Sequence, residues 1–418
     1  MKLVEESAWV SVGQALNIAG VLCLVYTLTN NLSAEQYGQL GLGLTVVSLI
    51  NQVVMGGVTA SIVRFYNIAD EKDELRAYVS ASFSLLFKAA IVVCVIGFLF
   101  SIVLVCFGFS RWFPFGAALL LFSIFSGLTS VITGVQNAGR KRALVAAMNG
   151  LDAWLKIGVC SIFIGVIGPS SVAVALGYLM SSMIVVGVQC MCSRSLITKY
   201  NSAAEKQEEW FSAMWAYSWP FTKWGFFTWM QIASDRWALQ IFSTSVEVGQ
   251  YSVLYQMGFM PFQLLSGIMV NFIGPILFQR SGDATNASRN KNVNLLGWRI
   301  ALLSLVFSVL CSAVAFPLHE WIYRLFVSVE FRSKSNLLPW MILAGGIFSS
   351  GQILALKLMS DLKPELMAIP KIVTALLGVS LNFIGAAVAG INGVVLSVLV
   401  FSGVYFVWMA GLCNKRNS

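Results

Sequence analysis

Residues 78–107 read YVSASFSLLFKAAIVVCVIGFLFSIVLVCF, thirty residues in which Lys88 is the only charge. As an α-helix such a run extends about 45 Å, more than enough to cross a hydrocarbon core roughly 30 Å thick. The surrounding chain has the same character, being 58% hydrophobic and 11% charged over 418 residues. An ordinary soluble domain carries about a quarter charged residues. So few charges cannot clothe a soluble surface, and a chain of this length supplies about a dozen spans with short loops.

Outward from that run, apolar stretches between polar breaks predict helices near residues 8–28, 37–63, 78–107, 113–137, 143–167 and 172–191, and then 211–234, 249–278, 294–318, 337–359, 366–389 and 391–413. The expected fold is an all-α integral membrane protein of about 12 transmembrane helices in two six-helix lobes. Residues 1–192 would form the first lobe, 193–210 a cytoplasmic linker containing Glu205, Lys206, Glu208 and Glu209, and 211–418 the second. The N-terminus has Lys2 against Glu5 and Glu6 and no small-residue cleavage site after a short apolar run, so it does not read as a removable signal peptide.

Orientation follows from loop cations, because cytoplasmic loops retain Lys and Arg. Sixteen lie on the side of both termini, in the groups led by Lys2, Arg64, Arg140, Arg194, Arg280, Lys363 and Lys415. Only five, Arg111, Arg236, Arg324, Arg332 and Lys334, lie opposite. Both ends are therefore expected in the cytoplasm. The net charge of +9 is scattered over short loops rather than gathered on one face, which argues against a nucleic-acid partner. The eight cysteines lack metal-ligand spacing and read as small core residues. No metal site, cofactor or catalytic motif is expected.

The halves are weakly alike. Glu35-Gln-Tyr-Gly38-Gln39 has a counterpart in Glu247-Val-Gly249-Gln250, at a glycine offset of 211 residues. The same offset carries Phe87-Lys88 onto Trp298-Arg299. Two matches at one offset favour a duplicated six-helix unit, with repeats parallel about an axis along the membrane normal.

An ionisable side chain within a span costs about 3 kcal/mol on insertion scales. Six cations raise that question: Lys88, Lys156, Lys223, Arg299, Lys357 and Lys371. The clearest acid in the same spans is Asp152, so most lack a partner nearby in sequence. An excess of buried positive charge suits a polyanion, whose phosphate oxygens accept charge-assisted hydrogen bonds. Lys88, Arg299, Lys223 and Arg64 are the candidates for binding substrate. Reaching back to headgroups is the bland alternative for Lys88 and Arg299, and for Arg64 at the cytoplasmic end of its helix; for Lys223 it is an aromatic-rich helix with its lysine turned to an interface. Pro220 could bend the helix that carries Lys223. Asp152 and Lys156, spaced i, i+4, can neutralise each other. Asp235-Arg236 is expected just after the seventh helix at the outer surface, as an interface anchor or helix cap or, functionally, a lock between lobes. These two pairs are the gating or coupling candidates.

Several stretches, in order along the chain, resemble the polysaccharide flippases of the multidrug/oligosaccharidyl-lipid/polysaccharide superfamily, particularly Wzx-type O-antigen translocases. They are Leu32-Ser-Ala-Glu-Gln-Tyr-Gly-Gln-Leu-Gly41, Val63-Arg64-Phe65-Tyr66, Gly134-Val-Gln-Asn-Ala-Gly-Arg-Lys-Arg142, Ser234-Asp235-Arg236 and Val248-Gly249-Gln250-Tyr251. The resemblance implies a multi-pass protein of the bacterial inner membrane, with two lobes around a cavity that opens alternately to each face. Its implied cargo is an undecaprenyl-pyrophosphate-linked oligosaccharide, an O-antigen or related surface polysaccharide repeat unit. Membrane lipids and other polysaccharide-assembly membrane proteins are the further partners. Coupling to a proton or sodium gradient is implied too, although no residue identifies the ion. Pyrophosphate and sugars are costly to desolvate in hydrocarbon, and a polar groove removes that cost while the polyprenyl tail stays in lipid.

Two rival readings remain. A drug or cation antiporter of the same fold would want buried carboxylates, and residues 8–28 hold none. A membrane glycosyltransferase or polymerase would want a large outer domain, whereas the longest expected outer loop runs only from about His319 to Asn336.

Overall fold

The computed structural model describes residues 2–108, 110–139, 141–198, 206–267, 287–360 and 368–414, and every regular element among them is helical. The helices are α1 (Lys2–Asn31), α2 (Ala34–Ile50), α3 (Gly56–Glu71), α4 (Leu75–Cys106), α5 (Phe113–Ala138), α6 (Arg142–Ile167), α7 (Ser171–Thr198), α8 (Gln207–Phe242), α9 (Ser245–Leu254), α10 (Ala287–Phe326), α11 (Leu338–Ser360) and α12 (Ala368–Asn414). A single π-helical turn, Asn51–Met55, joins α2 to α3, so the two make one continuous crossing. A second, Tyr255–Phe259, carries α9 into helical residues 260–267. The α12 helix breaks at Ala389–Gly390, where Gly390 has φ +55°, a left-handed conformation that glycine adopts without steric cost. Counted this way, the helices correspond to the twelve runs expected from the sequence. The expected run 249–278 lies outside the described residues beyond 267, as does residues 199–205 of the expected linker.

Local chemistry sets most boundaries. Pro114 sits in the first turn of α5, where its missing N–H costs nothing. Gly168, at φ +104°, ends α6. Ser33 Oγ accepts from the Gln36 amide at the start of α2, and Thr244 Oγ1 accepts from the Glu247 amide at the start of α9. Ser33 and Thr244 are themselves 211 residues apart, so the repeat seen in the glycines extends to the helix caps. Several helices run past their expected ends, α10 among them, because a helix that satisfies its own backbone need not stop where apolar sequence stops. The extension of α8 to Phe242 corrects one expectation. Asp235 and Arg236 are not in a surface loop; they are buried inside the helix, followed by the apolar turn Trp237-Ala-Leu-Gln-Ile-Phe242. Their opposite charges cancel, so the pair does not terminate the span.

The chain divides into two compact units. Unit 1 comprises Met1–Gly20 and Leu42–Trp229; unit 2 comprises Val21–Gly41 and Met230–Ser418. In unit 1, Met55, Val58, Ile62, Leu75, Tyr78, Leu85, Val131, Trp210 and Met214 form a core shared by α3, α4, α5 and α8. The aromatic rings there meet edge-on, Phe65 with Trp210 and Tyr78 with Trp210. In unit 2, Leu28, Tyr37, Leu239, Tyr251, Phe331, Met341 and Tyr405 are buried. Outward faces are the reverse of those of a soluble protein: Phe83, Phe87, Ile96, Phe98 and Leu99 on α4, and Leu303, Val306, Leu310 and Val314 on α10, all stand exposed. Such faces suit lipid, and among the described residues eight helices are long and apolar enough to cross it. The chain is a multi-pass membrane protein.

Lipid gives helices no hydrophobic reason to associate, so close packing through small residues holds them. At the α10–α11 crossing, a Cβ on Gly346 would lie 1.9 Å from the Ser308 Cβ. Gly346→Val should therefore force the helices apart at a cost of about 1–3 kcal/mol. Gly403→Ala, with no atom within 4 Å of the added carbon, should leave stability unchanged. Melting temperatures of the two variants in detergent check this.

Candidate functional site

In unit 1 the candidate cations gather along α8 and the helices packed on it. Gln207 Nε2 donates to Ser84 Oγ at 2.9 Å, drawing the start of α8 onto α4. One turn further along each helix, Lys88 Nζ lies 3.9 Å from the centroid of the Phe211 ring. A cation over an aromatic face gains about 0.5–2 kcal/mol, which offsets part of the cost of holding Lys88 in an apolar span. Phe211 stacks on Trp215, with ring planes 6° apart. Further along α8, Lys223 Nζ is 5.7 Å from the Trp219 ring. The exposed rings of Trp215, Trp219, Phe221 and Phe226 continue this aromatic ladder.

Phe211 and Lys223 are twelve residues apart on one helix, about 18 Å of rise. Lys88 and Lys223 therefore stand at different levels, as successive stations rather than two jaws of one clamp. Arg64 is exposed on α3, next to Phe65, whose ring meets Trp210 and Tyr217 edge-on. Arg299 is exposed on α10 and belongs to unit 2. Among the described residues, none of Lys88, Lys223, Arg64 and Arg299 pairs with a carboxylate. The side chain of Lys357 lies outside the described residues.

The remaining candidates are paired. Lys156 Nζ contacts Asp152 Oδ2 at 2.6 Å across one turn of α6, and the ammonium also lies 5.7 Å from the rings of Phe122 and Tyr178. In unit 2, Asp235 Oδ1 accepts from the Arg236 backbone amide at 2.7 Å and from Arg236 Nη1 at 3.3 Å. Asp235 Oδ2 accepts from the Tyr251 hydroxyl at 2.6 Å. The guanidinium lies 4.4 Å from the Tyr255 ring, and Arg236 Nη1 also donates to the Ile232 carbonyl. Both residues are less than a tenth exposed. Sequence reasoning found the two charges but missed the tyrosine cage, because Tyr251 and Tyr255 reach α8 from another helix.

Three carboxylates outside the expected set make long-range contacts. Glu74, in the turn between α3 and α4, accepts from Lys206 Nζ at 2.5 Å and from Trp210 Nε1 at 3.0 Å. The Lys206 hydrogen bond holds the Glu74 carboxyl below its ordinary range, so this tie is present at neutral pH and is lost as pH falls through that lowered value. Glu330 Oε1 accepts from the Ala34 amide at 2.9 Å, and Glu247 Oε2 from the Ile391 amide at 3.3 Å. Glu247 was open to discovery through its capping pattern Thr244-x-x-Glu247. Nothing in the sequence links Glu330 to a helix start 296 residues away. Among the described residues, no three His, Cys, Asp or Glu side chains converge as metal ligands would.

Breaking one side of a buried ion pair leaves an uncompensated charge, at a cost of about 3–5 kcal/mol. Arg236→Ala should therefore destabilise the protein by that order in detergent melting. Asp235→Asn combined with Arg236→Met, which removes both charges and keeps an acceptor for Tyr251, should recover most of the loss.

This architecture is shared with known transporters. The lipid II flippase MurJ in its inward closed conformation superposes with a TM-score of 0.70 at 15% identity, over 97% of this chain and 86% of that one. An outward-facing multidrug resistance MATE family transporter of the MOP superfamily gives 0.63 at 15% identity, over 100% and 96%. The Vibrio cholerae MATE transporter VcmN in its bent form gives 0.60 at 14% identity, over 99% and 96%. No curated protein sequence matches the chain. A family model described as polysaccharide biosynthesis protein matches residues 3–281, two thirds of the sequence. The chain accordingly belongs to the polysaccharide biosynthesis protein family, a family of MOP-type flippases and not of enzymes.

Proposed function

We propose that this flippase moves an undecaprenyl-pyrophosphate-linked oligosaccharide, an O-antigen or related surface polysaccharide unit, from the cytoplasmic to the outer leaflet of a bacterial inner membrane. The observation that carries the proposal is the set of membrane-segment cations, Lys88, Lys223, Arg64 and Arg299, that pair with no carboxylate among the described residues. Membership of a polysaccharide biosynthesis family supports a lipid-linked saccharide as cargo. In this reading both termini face the cytoplasm, and transport proceeds by alternating access.

The chemistry divides along α8. Pyrophosphate carries the charge that Lys88 attracts, and a phosphate oxygen can displace the weaker Phe211 ring as partner of the ammonium. The exposed aromatic faces beyond it offer sugars apolar platforms as they advance. Lys223, about 18 Å further along, would receive the diphosphate at a later stage. The pairs Asp152–Lys156 and Asp235–Arg236 are the candidates for coupling to a proton or sodium gradient, since each holds a carboxylate whose neutralisation would free a cation.

A cation antiporter is the second reading, favoured by one observation: Asp235 is a deeply buried carboxylate. Its oxygens are already engaged by Arg236 and Tyr251, however, which leaves little field to draw a cationic drug.

Lys88→Ala and Arg299→Ala test the proposal. A hydrogen bond to a charged group contributes about 1.5–3 kcal/mol, so each variant should lower export of surface polysaccharide roughly 10- to 100-fold at unchanged protein level. Lys88→Arg should retain most activity. Undiminished polysaccharide in both alanine variants would remove the cationic path from the mechanism.

A further inference from the structure

The start of α2 packs against the start of α9, and the contact is reciprocal. A Cβ on Gly38 would lie 2.0 Å from the Ser245 carbonyl oxygen and 3.0 Å from the Gly249 nitrogen. A Cβ on Gly249 would lie 2.0 Å from the Ala34 carbonyl oxygen and 3.1 Å from the Gly38 nitrogen. One turn on, a Cβ on Gly41 would lie 2.6 Å from Ser252 Oγ. Ala34 with Ser245, Gly38 with Gly249 and Gly41 with Ser252 all share the offset of 211 residues. Gly38 and Gly41 thus meet their own duplicates, while Ala34 and Ser245 each face the other's glycine, as in an isologous two-fold interface.

Three further features distinguish this seam from ordinary core. It joins backbone to backbone, so little interlocked side chain opposes its separation. Each arm runs into a π-helical turn, Asn51–Met55 after α2 and Tyr255–Phe259 after α9. Such turns interrupt the regular hydrogen-bond ladder and are places where helices bend. The α2 arm is also held from outside by one residue. Glu330 accepts the Ala34 amide, one of the unpaired donors at the helix start, where a negative charge is favoured. Around it, Gln250 Nε2 donates to the Glu330 carbonyl at 3.4 Å, and Tyr37 meets Phe331 edge-on at 5.5 Å. Residues 21–41 group with unit 2, although the chain before and after them groups with unit 1.

We infer that the α2–α9 seam is a clasp, shut in this conformation, which closes the face carrying the α1–α2 and α8–α9 turns and opens during transport by bending of both arms at their π turns. Gly38 and Gly249 permit closure, and Glu330 is the catch. The inference rests on the transporter reading, but not on the identity of the cargo. Size at the seam acts asymmetrically: a side chain on Gly249 opposes the shut state and leaves the open state untouched.

The test uses the full-length chain in membranes with its native cysteines replaced. Ser252→Cys, nearly isosteric and 1% exposed in the shut form, reports opening through labelling by a membrane-impermeant maleimide. Labelling should be slow alone and rise several-fold when Gly249→Val or Glu330→Ala is added. Glu330→Gln, which keeps an acceptor for the Ala34 amide, should hold it near the starting level. Unchanged labelling in Glu330→Ala would overturn the catch even if Gly249→Val fails to accumulate. A second variant pairs Gly41→Cys with Ser252→Cys, whose β-carbons would lie 3.4 Å apart, close to the roughly 3.5–4.5 Å of a disulfide. Oxidation should cross-link it and stop polysaccharide export, and reductant should restore both. A cross-linked protein that still exports would overturn the clasp. Because maleimide labelling needs no cargo, the clasp can stand if the lysine and arginine variants refute the proposed substrate.

Discussion

Hydrocarbon offers no partner to a backbone N–H or C=O, and this constraint shapes the protein at every level. Each crossing is helical because only a helix satisfies its own backbone within one segment. The unsatisfied groups then collect at helix ends, and several long-range polar contacts fall there. Glu330 reaches the first amide of α2, Glu247 reaches the amide at which the second half of α12 begins, and Ser33 and Thr244 cap their own helices. Side chains that would decorate a soluble surface here complete a backbone.

The same medium sorts the charged residues. An ion in a span costs about 3 kcal/mol, and the protein meets that cost in two ways. Asp152–Lys156 and Asp235–Arg236 are neutral overall and ringed by aromatics or hydroxyls. Among the described residues, Lys88 and Lys223 have ring faces and no carboxylate, a weaker compensation that leaves their hydrogen-bond donors available. A pair that is satisfied contributes structure, or a switch if its proton or ion changes. A lysine with only a ring for company retains affinity for an arriving anion. The α8 helix carries the aromatic part of this arrangement in unit 1.

The fold was legible to the extent that apolar run length determines it. The break between residues 389 and 391 was readable because Gly390 follows an alanine-rich turn and only glycine takes φ +55° there without cost. The true end of α8 was not readable, because Asp235-Arg236 looks like a polar boundary until the two charges are seen to cancel each other. The π turns left no trace in composition, since Asn51-Gln-Val-Val-Met55 and Tyr255-Gln-Met-Gly-Phe259 are unremarkable as helix. Candidate cations stood out as single letters in apolar text. Their separation along α8, and the contact of Lys88 with Phe211 123 positions later, belong to tertiary structure.

Duplication explains why the repeat surfaced in Gly38 and Gly249. At most positions the two copies face different surroundings, so each residue answers to its own neighbours and resemblance at offset 211 means little. On the local axis, residue and duplicate are each other's neighbours, and any added volume is counted twice. With carbonyl oxygens 2.0 Å from where each β-carbon would sit, only glycine fits at both positions while the arms stay shut. A similarity that looked like a weak trace of ancestry is, in physical terms, a steric requirement imposed by self-contact. It falls on helices whose next turns are built to bend, and a close fit next to a bend is worth maintaining only if the fit must be made repeatedly.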